Sequence, residues 1–198
     1  GIMITKTGET AVIAILCIGI LGCGGLRFSE ISPEARDFHP RRIAVLPADT
    51  TAFAEAKGVV DRLFAEVLIE RQWFTGVAGG EAIGRRLESD EPFRKVVAGY
   101  LAKRTNVSFS DPELSGRIGE LTGAEAFLLV RVDYWNYTTE NDKKLAKVSL
   151  SITMVEAKTG KALWMASHHK ISEYLIIKPD LPDVAKDLIR EMIGYMPH

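Results

Sequence analysis

The chain has 198 residues, 46% of them hydrophobic and 26% charged, with 25 Lys and Arg against 26 Asp and Glu for a formal net charge of -1. An apolar fraction that high at a net charge near zero excludes disorder and gives material for one domain, and the balanced charge argues against a nucleic-acid partner, which needs an excess of Lys and Arg. Two cysteines can build neither a disulfide scaffold nor a four-thiolate zinc site.

Both cysteines lie in the first 23 residues. Ala11 to Gly22 is an uncharged, mostly aliphatic run, preceded by Lys6 and Glu9 and followed at once by Cys23. A basic lead, a short apolar stretch and small residues at the cut mark a secretory signal. Extended from Thr10 to Leu26, the uncharged run reaches 17 residues, at the lower edge of the ~17–25 that span a bilayer; an uncleaved anchor is the competing reading. Ile20-Leu21-Gly22-Cys23 resembles a bacterial lipobox, with Leu21 bulkier than the Ala or Ser common at that place. The resemblance implies that residues 1–22 are a signal peptide, that Cys23 is acylated, and that the protein is held in the cell envelope, at the inner leaflet of the outer membrane, facing the periplasm. Several acyl chains supply the multiple anchors that stable attachment requires.

Residues 23–40 contain glycines, prolines and scattered charges without a sustained period and are expected to be a tether. The folded domain is then expected over 41–198. Arg42 to Pro47 reads as a buried strand. Val59, Val60, Leu63, Phe64, Val67 and Leu68 recur at helical spacing. Trp73 to Ala78 reads as a second strand closed by Gly79-Gly80, Glu81 to Leu87 as a short helix, and Phe93, Val96, Val97, Tyr100 and Leu101 as the apolar side of another. Asp111-Pro112-Glu113 is an N-cap with proline at the first helical position, and Thr122-Gly123 stops that helix. Ala126 to Tyr137 is expected as a strand with Leu128, Val130, Val132 and Tyr134 on one face and Arg131, Asp133 and Trp135 on the other. Glu140 to Lys144 reads as a polar loop, Ala146 to Glu156 as an alternating strand, Lys158 to Lys161 as a tight turn, Ala162 to Leu175 as a returning strand, and Pro182-Asp183 as the start of a last helix. The order β-α-β-α-α-α-β-β-β-α predicts an α/β fold: a single sandwich domain in which helices pack a mixed β-sheet.

That order and four strings, Arg42 to Pro47, Gly123 to Leu129, Val132 to Trp135 and Val155 to Trp164, resemble a small bacterial lipoprotein family of unknown function, DUF799. It is related in fold to the curli-secretion lipoprotein CsgG, the TolB N-terminal domain and the penicillin-binding-protein activator lipoproteins. The resemblance implies an interaction or assembly module of the envelope rather than an enzyme.

The residues offer little to catalysis. His168 and His169 are neighbours on a strand and point to opposite faces, so they do not chelate one metal simply. No HExxH, CxxC, EF-hand or GxSxG pattern occurs, Thr159-Gly160-Lys161 reads as a hairpin turn rather than a phosphate loop, and Gly79-Gly80 as a plain turn. No metal and no cofactor is expected. Arg94, Lys95, Lys103 and Arg104 follow the polar side of the Phe93 helix as either a solvated face or a site for anionic headgroups or an acidic partner. Trp135 and Tyr137 are read either as an interface or as packing beneath the helices. Three functions follow: a non-catalytic, lipid-anchored binding or assembly module in envelope transport or biogenesis, with an envelope protein partner and self-association; an activator of a cell-wall synthase; or a subunit of a CsgG-like secretion channel. The channel is disfavoured because the long hairpins are needed by the core sheet.

Overall fold

A computed structural model describes residues 26–107 and 109–198; the expected signal peptide and Cys23 lie outside the described residues. The strands are β1 (Phe28–Ile31), β2 (Arg42–Val45), β3 (Gly76–Ala78), β4 (Ala126–Glu140), β5 (Lys143–Glu156) and β6 (Ala162–Tyr174). The helices are α1 (Val59–Arg71), α2 (Glu81–Ser89), α3 (Glu91–Val107), α4 (Pro112–Thr122) and α5 (Leu181–Ile193). The six strands form one mixed sheet in the order β1-β6-β5-β4-β2-β3. β2 runs parallel to β3 and β4, and β4, β5, β6 and β1 are antiparallel neighbours. The expected α/β sandwich is the fold found, with one strand added at its front.

Two apolar clusters hold the layers together. On one face α1, through Val60, Leu63, Phe64, Val67 and Leu68, and α5, through Val184, Ala185, Leu188, Ile189, Met192 and Ile193, cover Leu128, Val130, Val132, Val148, Leu150, Ile152, Trp164 and Ala166. On the other face α2, α3 and α4 contribute Ile83, Phe93, Val97, Tyr100 and Ile118 against Ala44, Leu46, Phe127, Val155 and Ala157. This second layer is seated over β2 and the adjoining ends of β4 and β5. The midportions of β5 and β6 carry Ser149, Ser151, Thr153, Ser167 and His169 there instead, all only partly buried.

Local signals set the boundaries of α4. The Asp111 carboxylate accepts from the Glu113 and Leu114 amides at 2.9 and 3.1 Å, Pro112 occupies the first turn, and Gly123 ends the helix at φ 68°. Ser115, fully buried, donates to the Ala157 carbonyl at 2.7 Å and ties α4 to the end of β5.

Four expectations change. The stretch read as a tether contains β1, whose residues pair with Trp164 to Ser167 of β6, while Leu26 and Phe38 pack against the first core and Ala35 is buried. The second strand shortens to Gly76–Ala78, and Trp73 instead stacks on the His198 ring at 3.7 Å. The polar loop is a two-residue turn, with Asn141 and Asp142 at φ 50° and 62°, so the β4–β5 hairpin stays paired to Glu140 and Lys143. Finally, the pairing of β4 slips between Val132 and Tyr134. The extra residue, Asp133, reverses the alternation, and Trp135 and Tyr137 join the face of Val130 and Val132 in place of Tyr134.

Asp61 on α1 supports the chain after β2 by accepting the Ala48 amide at 2.6 Å, and burial pushes its carboxyl above the usual range. Because the folded state disfavours the charged form, the stability that this neutral carboxyl contributes is complete below the ordinary pKa and is lost as pH rises through the raised one. Asp61→Asn, which keeps the acceptor without the charge, is therefore expected to match the parent in acid and to exceed it at neutral pH. Asp61→Ala should lose about 1–2 kcal/mol in acid, since the Ala48 amide loses its acceptor, and less at neutral pH, where it also removes the disfavoured charge. Urea unfolding at two pH values checks both variants.

Candidate interaction surfaces

The part of the sheet left uncovered by α2, α3 and α4 carries a connected polar groove. Asp133, released from the alternation by the bulge, accepts from Arg131 Nε at 2.6 Å and from the Ser151 hydroxyl. Ser151 is 3.0 Å from Ser167 Oγ on the next strand, and Arg131 Nη2 reaches Ser151 at 3.4 Å. Asp49 adds a second carboxylate beside the guanidinium: the chain at Asp49 bridges to Arg131, with the Asp49 amide on the Val130 carbonyl and the Val132 amide on the Asp49 carbonyl. The Thr51 hydroxyl and amide, together with Arg131, hold the Asp49 carboxyl below the usual range. Two depressions of about 680 and 400 Å³ meet at Arg131 and Ser151; the first runs toward Leu101, Arg104 and Thr105 of α3, the second toward Arg27, Phe28 and His168.

This face has the character of a docking surface. Asp133, Ser151 and Ser167 are bonded to one another and Arg131 is paired with Asp133, whereas His169 Nδ1 is buried without a hydrogen-bond partner; the Ser and Thr side chains are short, so a partner could approach the strands closely. No hydroxyl in it is bonded to a histidine base: Ser151 meets a carboxylate and another serine. Among the described residues, no group of three or more His, Cys, Asp or Glu is placed to hold a metal ion.

The two histidines do point to opposite faces. His168 accepts the Arg27 amide at Nδ1, 3.1 Å away, and its Nε2 is 3.4 Å from Glu191 of α5. His169 lies on the uncovered face, where burial and the nearby His168, Arg27 and Lys147 hold its pKa below the ordinary value.

The basic residues of α3 do not act as one stripe. Arg94 donates to the Leu87 and Glu88 carbonyls at the end of α2, Lys95 pairs with Glu91 at 3.0 Å, and Lys103 pairs with the capping Asp111. Arg104 alone of the four lines the groove. Trp135 is 5% exposed within the first core, and the Tyr137 hydroxyl donates to the Pro179 carbonyl at 2.8 Å, so packing accounts for both. The sequence reading did not assemble Arg131, Asp133, Ser151 and Ser167. Its available signal was a run of small polar residues at every second position of β5, opposite Val148, Leu150 and Ile152.

No family model matches the chain, and no curated protein matches it. Solved structures do. PelC from Paraburkholderia phytofirmans, crystallised as a dodecamer, superposes with a TM-score of 0.50 at 15% identity over 78% of this chain and 84% of PelC. A PelC variant, also a dodecamer, in a second crystal form gives 0.50 at 13% identity over 79% and 87%. The lipoprotein GNA1162 from Neisseria meningitidis gives 0.48 at 16% identity over 78% and 99%. The chain thus shares its fold with PelC, while no family model confirms the resemblance to DUF799 or to CsgG.

Proposed function

We propose that the chain is a lipid-anchored, non-catalytic assembly module of the bacterial envelope, facing the periplasm, that associates with copies of itself across the uncovered half of its sheet and serves transport or biogenesis there. The observation that carries this reading is the groove at Arg131, Asp133, Ser151 and Ser167, a polar surface on adjacent strands that, among the described residues, no helix covers. The lipobox-like string ending at Cys23 supports the anchor. The shared fold with PelC, a protein crystallised as a dodecamer, supports self-association.

A photocrosslinking residue placed at Ser149, on the edge of the groove, tests the proposal in cells. Crosslinks between copies are expected from Ser149 and not from Arg117, which is on the outer side of α4. Arg131→Ala, which unpairs Asp133 and Asp49, should reduce them several-fold. Crosslinks from Arg117 alone would overturn the assignment of this face, and crosslinks from Ser149 to a different protein only would replace self-association by a hetero-complex.

A further inference from the structure

Three consecutive aliphatic residues, Leu175, Ile176 and Ile177, are 82%, 91% and 85% exposed in the loop between β6 and α5. Isolated exposed apolar residues are ordinary; three in a row at the tip of a sheet are not. The tip also stands at a particular end of the molecule. β1 is antiparallel to β6, with Phe28 opposite Ser167 and Ile31 opposite Trp164, so the chain ahead of Phe28 enters from the end toward which β6 leaves. The Arg27 amide, bonded to His168 Nδ1, continues that direction by one residue.

We infer that Leu175, Ile176 and Ile177 form a second membrane contact, inserting into the interfacial layer of the same leaflet that holds acylated Cys23; this rests on the lipoprotein reading above. The chain length sets the geometry. Cys23 precedes Leu26 by three residues, and Leu26 is fixed against the core, so the anchor lies within ~11 Å of the domain. Measured along the strands, Cys23 can extend no more than ~17 Å beyond Phe28. Tyr174 already lies ~23 Å beyond Ser167, the residue opposite Phe28, and the tip follows it. A bilayer that holds the acyl chains on so short a leash at this end of the sheet is met by the tip.

The charge around the tip indicates which force acts. Lys143 pairs with Glu173 at 2.9 Å, Lys147 with Glu140 at 3.6 Å, and the Lys178 ammonium rests 3.5 Å from the Tyr137 ring centroid. With Lys144, Asp142 and Asp180 the signs balance, so attraction to anionic headgroups is not the driving force; apolar transfer is. A second copy of the chain is the weaker occupant, because three residues fall far short of the roughly 20–30 a side of a stable protein interface.

The test uses the full acylated chain in phosphatidylcholine vesicles that contain a spin-labelled lipid. An environment-sensitive fluorophore is attached at Ile176→Cys or, as a control at the opposite end of the sheet, at Lys158→Cys. Quenching at position 176 is expected to exceed that at 158 several-fold and to be unchanged between low and high salt. In the unlabelled protein, amide exchange over 175–178 should slow several-fold on vesicles, which keeps the result independent of the labelled variants. Equal quenching at the two positions with unchanged exchange overturns the inference. Energy transfer between labelled copies without lipid quenching assigns the tip to self-association and overturns it as well. Flotation of the unaltered chain, with its loss in Cys23→Ser, reports separately on the anchor: a chain that floats with an unquenched tip refutes only the tip, and one that does not float refutes the lipoprotein reading.

Discussion

Replacing Trp164 by alanine is expected to destabilise the domain by about 3–5 kcal/mol, the usual range for removing a buried indole. Trp164 is 1% exposed and is the largest fully buried side chain. It pairs with Met154 of β5 on one side and Ile31 of β1 on the other, and its Nε1 donates to the Ser29 hydroxyl at 3.1 Å. Three strands therefore converge on one side chain, and a void there has few free neighbours to fill it. Trp164→Phe keeps most of the ring and loses the hydrogen bond to a serine on an exposed strand, so about 1 kcal/mol is expected. Against a total of about 5–15 kcal/mol, the alanine variant would stand near the edge of folding, with a midpoint lowered by roughly 10 °C or more. Urea and thermal unfolding followed by circular dichroism measure both. A loss below about 1 kcal/mol in the alanine variant would mean that the β1–β6 edge collapses onto the void and that the indole is not what seats β1.

Features encoded by adjacent residues were legible in the sequence. The carboxylate of Asp111, the proline after it and Gly123 act within one turn of α4, and each does what its position indicates. The alternation of Val148, Leu150, Ile152 and Met154 likewise reflects a local period that β5 keeps from Ala146 to Met154. What the sequence hides depends on distant partners. All four residues of β1 remain exposed, so no apolar pattern marks them; their extended form is imposed by the open edge of β6. The bulge at Asp133 is invisible for the same reason: only its register against Ser149 and Leu150 reveals the extra residue. It sends Trp135 inward and leaves Asp133 beside Arg131. Arg131 and Asp133 could be assigned to a polar face from alternation alone, whereas their meeting with Ser151 and Ser167 requires the pairing of three strands. On α3, the Lys95–Glu91 pair has helical i,i+4 spacing and was readable, but the neutralisation of Lys103 by Asp111 crosses a helix boundary.

The second large effect concerns β1 itself. A chain begun at Arg41, the boundary that composition suggests, is expected to be less stable by on the order of 4 kcal/mol than one begun at Gly24. It loses the packing of Leu26 and Phe38 and the buried Ala35. It also loses the Ser32 amide bond to the Leu163 carbonyl and the Ser29 acceptor of Trp164. The consequence extends beyond stability. Without β1, the 13-residue β6 becomes the edge of the sheet and presents unpaired amides and carbonyls, a template for association with other chains. Light scattering should therefore show concentration-dependent association of the shorter chain beyond any oligomer that the longer chain forms, alongside its lower urea midpoint. If the shorter chain were equally stable and no more associated than the longer one, residues 26–40 would be the tether that their composition suggests. The proposed acyl anchor would then be joined to the domain by eighteen residues rather than three, a leash of ~60 Å rather than ~11 Å. With so long a leash, the bilayer would have no reason to meet Leu175, Ile176 and Ile177. The stability of β1 and the proposed membrane contact of the tip are thus linked through one length of chain, and both are argued from Phe28 pairing with Ser167.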